Sequence, residues 1–95
     1  MTTTHAMIAT TIRNRALMAN ALCAVAEQET HAGRLLEASE TARSVRGLLA
    51  DINILLSGDT SYLPYGTLWD VSDLLAGLES RIGTIERVMK PQILH

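Results

Sequence analysis

Apolar residues recur along most of this chain at alternating steps of three and four positions. The clearest run is Leu68, Val71, Leu75, Leu78, Ile82, Ile85 and Met89. That period winds a single stripe along an α-helix, whereas a strand would alternate every second residue. Thr67, with Asp70 in the position usually held by Glu, resembles a capping box, and Pro91 marks a stop. The pattern predicts a helix over 67–90. A second run, Leu35, Ala38, Ala42, Val45, Leu49, Ile52 and Leu56, predicts a helix over 31–57, closed by Gly58 in the left-handed conformation. Asp59 to Gly66, punctuated by Pro64 and Gly66, turns the chain between them.

The short connection makes these two helices antiparallel neighbours. Aligned about the turn, Leu56 opposes Leu68, Ile52 opposes Val71, and the pairing runs on to Leu35 against Met89. Ala38 and Ala42 fall opposite Ile85 and Ile82, small against large, as an interdigitated core prefers. One flank of the seam sets Arg46 and Asn53 against Ser72, Glu79 and Glu86, and the register pairs Arg46 with Glu79. The other flank carries Leu48, Leu55, Leu74 and Val88, an apolar groove.

The N-terminal stretch has a different pattern. A helix is predicted over 5–28, capped by Thr2, Thr3 or Thr4. One face holds Ile8, Ile12, Ala19, Leu22, Cys23 and Ala26, with Arg15 extending its head from the edge. An adjoining face holds Met7, Met18, Ala21 and Val25, with Leu17 beside it, and only the strip Arg13, Asn20 and Glu27 is polar. A helix this apolar needs neighbours on more than one side. Its first face should fill the groove, and the break before the next helix should fall at Glu29–Gly33, with Thr30 as N-cap. The expected fold is all-α, an antiparallel three-helix bundle in a single domain, 1–95, with frayed ends at 1–4 and 91–95. The second face is left over, and it is expected to close a homodimer through Met7, Leu17, Met18, Ala21 and Val25.

Composition agrees with a chain that buries surface against another. Of the 95 residues 47% are hydrophobic and 19% charged, the latter below the usual ~25%. The net charge of −2, with arginines and acids interspersed, lacks the basic footprint that nucleic acid requires. Cys23 is the only cysteine, which excludes an intrachain disulfide and a multi-cysteine zinc site; on an apolar face it is expected to be an inert core thiol. No apolar run approaches the ~18 residues of a membrane span, and Met1 to Arg15 lacks the apolar core of a signal peptide, so a cytoplasmic protein with no membrane association is expected.

Candidate chemistry is sparse. His5 and His95 lie near the ends, and His31 is four residues from Glu27, but two ligands do not make a metal site. Asp70 and Asp73 suit the positive end of a helix, and Glu86 with Lys90 forms an ordinary surface pair. No catalytic constellation or phosphate-cradling glycine loop is present, so no catalytic residue, metal or cofactor is expected. The aromatic complement is Tyr62, Tyr65 and Trp69, all near the turn before the last helix. With Ile54 they form either a partner-binding patch or a lid over the open end of the bundle. The expected function is protein binding without catalysis: a small adaptor, a secretion-type chaperone, or an inhibitor encoded by a phage or mobile element against a bacterial protein complex. The alternative classes are an antitoxin or transcription-accessory protein, and a small helical metal-binding protein or enzyme.

Overall fold

A computed structural model describes residues 3–58, 63 and 65–93, and the side chains of 6–58, 63 and 68–89. The protein is an all-α, antiparallel three-helix bundle, a rod of 50 × 19 × 17 Å. Helix α1 spans Thr3–His31, α2 Leu35–Leu56 and α3 Tyr65–Ile93. No strand occurs among the described residues.

The helix ends depart from the expected ones, for local reasons. Gly33 has φ +77°, and around it the Arg34 N–H donates to the Glu29 carbonyl (2.9 Å) and the Gly33 N–H to the Thr30 carbonyl (3.1 Å). This double closure ends a helix on a left-handed residue, which glycine adopts without steric cost. Thr30 therefore belongs to the last turn of α1 and does not cap α2; its hydroxyl donates to the Ala26 carbonyl at 2.8 Å. Gly58 is not left-handed. The last turn of α2 is met instead by Ser57, whose N–H and hydroxyl both donate to the Ile54 carbonyl, at 3.2 and 2.6 Å. Helix α3 begins at Tyr65, so Gly66, Thr67 and Asp70 are helical residues and Thr67 is not a cap. It also runs through Pro91 to Ile93. Proline lacks only the N–H that would have reached the Arg87 carbonyl, and so near a helix end that loss is confined to one bond. Of the expected caps, Thr3 and Thr4 are helical and Thr2 lies outside the described residues, as do 59–62 and 64 of the expected turn.

The core is entirely apolar among the described residues. The predicted seams are buried along α2 (Ala38, Ala42, Val45, Leu49, Ile52) and α3 (Val71, Leu75, Leu78, Ile82, Ile85, Met89), with Leu35, Leu56 and Leu68 half-buried at their ends. Helix α1 adds Ile12, Ala16, Ala19, Cys23 and Ala26. All but Ile12 are small, so α1 can approach closely, and α1 and α2 make the most extensive close backbone approach in the molecule. Leu48, Leu55 and Leu74 of the predicted groove are half-buried against the core, while Val88 remains exposed.

Candidate functional site

The rotation of α1 about its own axis decides which surface the protein presents. The buried row of Ile12, Ala16, Ala19, Cys23 and Ala26 turns one face inward, and polar contacts run along both of its edges. On one edge Arg81 of α3 reaches across to the strip expected to face water: its Nε and Nη2 donate to the Glu27 carboxylate at 3.2 and 2.6 Å, and Nη1 donates to the Asn20 side-chain oxygen at 2.9 Å. This two-point fork holds Glu27 below the usual carboxylate range, chiefly through the hydrogen bonds from Arg81, and holds Arg81 more firmly protonated in return. The polar strip is thus in part the α1–α3 seam edge. On the other edge Arg15 Nη1 donates to Asp51 of α2 at 3.3 Å, with its stem laid along the bundle and its Nε buried without a partner. Farther along, the Thr41 hydroxyl donates to the Glu29 carboxylate at 2.7 Å.

With both edges engaged, the second apolar face of α1 points outward. Met7 is 63% exposed, Leu17 54%, Met18 55% and Val25 43%, and Ala21 is exposed among them. From Asn14 to Gln28 the exposed positions of α1 are Asn14, Leu17, Met18, Ala21, Ala24, Val25 and Gln28, none of them charged. The outer face of α2 differs: it exposes Glu37, Glu40, Arg43 and Asp51. Beside the α1 stripe a cleft of about 270 Å³ opens between α1 and α3, floored by Ala16, Val71 and Leu74 and edged by Arg13, Leu17 and Asp70. The structure therefore brings the expected dimer residues onto one continuous face.

Of the aromatic end, the structure describes the side chains of Trp69 and Ile54. Tyr62 and the side chain of Tyr65 lie outside the described residues. Trp69 is 62% exposed, so it is no lid; among the described residues near this turn Leu63, which carried no periodic signal, is buried. Ile54 is exposed beside Arg15, Asp51 and Leu55, in a shallow cleft on the α1–α2 side. Trp69 is not among the residues that line this cleft.

Arg46 does not pair with Glu79. Its Nε and Nη2 donate to the Glu86 carboxylate at 3.2 and 2.7 Å, and Glu79 acts only as a further negative neighbour. Helical side chains lean toward their own N-terminus, so across an antiparallel pair Arg46 and Glu86 lean toward each other. Cys23 is fully buried, and burial pushes its thiol up, which keeps it protonated. His31 is exposed, and in the second α1–α3 cleft, about 260 Å³, it lies near a Glu27 already engaged by Arg81. No cluster of three His, Cys, Asp or Glu occurs among the described residues. Nor is any described helix long and apolar enough to cross a membrane.

Sequence reasoning missed Arg81, Ala16 and Leu63. The seven-residue spacing of Asn20 and Glu27, which places both on one helix edge, was the available signal for a long cation on a neighbouring helix. Comparison with protein-family models, with curated proteins and with solved structures gives no match for this chain.

Proposed function

We propose that this chain is a non-enzymatic protein-binding module of the cytoplasm, acting as an adaptor, a chaperone or an inhibitor of a larger protein complex, and forming a homodimer. The outer face of α1 carries the reading. Exposed apolar residues scattered singly are normal, but here Met7, Leu17, Met18 and Val25 line one helix without an intervening exposed charge from Asn14 to Gln28. Depletion of charge with methionine enrichment is what the centre of a protein interface shows, and thioethers repack readily against a partner. Trp69 offers a second contact of the kind that dominates interface energetics.

The test immobilises the full chain and two outer-face variants, Met18→Glu and Val25→Glu, in a lysate of the source cell and identifies what each retains by mass spectrometry. Proteins held by the parent and released by both variants are the expected result. Retention of the same proteins by all three would overturn the assignment of this face.

A further inference from the structure

On the protein-binding reading of the outer face of α1, the sulfur chemistry of that face bears on how binding is controlled. Among the described residues sulfur sorts into two environments. Cys23 is fully buried, and burial pushes its thiol up. Met89 is buried in the core row of α3. Met7 and Met18, by contrast, each expose more than half of their surface. They are 11 positions apart, which on a helix is three turns and a rotation of about 20°. The two thioethers therefore stand on one face, roughly 16 Å apart along the axis.

A thioether reacts with hydrogen peroxide without help from the protein. Its Sδ gives an electron pair to one peroxide oxygen, the O–O bond breaks, and the products are a sulfoxide and water. Sulfur loses two electrons and the peroxide gains them. Reaction therefore follows exposure. Cys23 would need a thiolate at the surface, which burial denies it. Met89 would have to leave the core. Met7 and Met18 need neither. The sulfoxide replaces a flexible apolar tip with a polar one. From Asn14 to Gln28 no exposed residue of α1 carries a charge, so a sulfoxide at Met18 is a strongly polar group in an apolar stretch. Covered by a partner, it loses its water, and an unmatched polar group there lowers affinity by about tenfold or more. We propose that Met7 and Met18 form a peroxide-sensitive pair that switches the outer face of α1 from apolar to polar, weakening its hold on a protein partner while the core sulfurs stay reduced.

The full chain treated with dilute hydrogen peroxide, then followed by peptide mass spectrometry, phenyl-resin chromatography and thermal melting, tests this. Sulfoxide at Met7 and Met18 well before Met89, earlier elution from the resin and an unchanged melting temperature are expected. A chain carrying Met7→Leu and Met18→Leu should elute the same before and after peroxide, which separates the pair from the exposed Trp69. Methionine sulfoxide reductases should restore the elution of the parent. Oxidation of Met89 at the same rate, a melt that falls with the first oxygen added, or an unmoved elution overturns the proposal. In capture from lysate, proteins held by the parent should fall by about tenfold after peroxide and stay on the leucine chain. If the oxidised chain keeps proteins that Met18→Glu and Val25→Glu release, the switch fails and the binding reading stands. If those two variants release nothing, the binding reading fails and the switch goes with it.

Discussion

Helices α1 and α3 are the same length, 29 residues each, but they distribute their apolar residues differently. Helix α3 gathers its large side chains into one buried row, Val71 to Met89, and turns Ser72, Asp73, Glu79, Ser80 and Arg87 to the outside. Helix α1 puts mostly small residues into the core and keeps Met7, Leu17, Met18 and Val25 on its outer side. Helix α3 thus keeps only Trp69 and Val88 outside among its described large apolar residues, whereas α1 exposes a whole row. The core row of α3 works by volume, filling the space between helices. The core row of α1 works by proximity, letting its backbone come close to α2. The two rows should fail in opposite ways: α3 when side chains are shortened, α1 when they are lengthened.

The largest effect should come from α3. Leu78→Ala removes a fully buried side chain and should destabilise the fold by ~2–5 kcal/mol, read as a lowered urea midpoint. On α1 the sensitive change is the reverse: Ala19→Leu, at a fully buried position, should cost ~1–3 kcal/mol through overpacking in the same urea titration. A neutral Ala19→Leu would show that α1 is not closely packed and would dissolve the contrast.

At the end of α1, Gly33→Ala should cost ~1–2 kcal/mol. A Cβ there meets no atom within 4 Å, so the penalty is that of the φ +77° backbone alone, and thermal melting should report it. Glu27→Gln sharpens the edge that orients α1. Because the Glu27 carboxyl is held below its ordinary value, its contribution is present above the unfolded pKa of about 4.3 and is lost as pH falls through the lower folded value. Both side chains are more than a third exposed, so the effect near neutrality should stay within ~1 kcal/mol. The difference in urea midpoint between parent and Glu27→Gln should close as the solution is acidified. The smallest effect on folding should come from the outer face: Val25→Glu should shift monomer stability by less than ~0.5 kcal/mol, measured at dilution, while removing association.

Much of the bundle was legible in the spacing of residues. The buried members of the α2 and α3 rows are the ones the three/four period selects, and the surplus face of α1 was visible as a second stripe. The helix ends were less legible. Thr30, Gly33, Gly58 and Thr67 all have residue types that cap helices, and which of them does so depends on which carbonyl or N–H it can reach. Gly33 closes α1 and Ser57 serves α2, choices set by backbone geometry over a few residues. The ion pairs were least legible. Arg46 had Glu79 and Glu86 within one heptad, and side-chain lean selected the second. Among the described residues near that turn, Trp69 stayed on the surface and Leu63 is buried.

By itself the sequence determined that there would be helices and which rows on them would be buried, because the spacing of side chains around a helix follows from backbone geometry that every helix shares. It also placed the first face of α1 inward and left the second outside, as the buried Ile12, Ala19, Cys23 and Ala26 and the exposed Met7, Leu17, Met18 and Val25 show. Only the tertiary structure decided which polar groups meet along the edges of α1: Arg81 with Glu27 and Asn20, and Arg15 with Asp51, are partners distant in sequence that no local spacing selects.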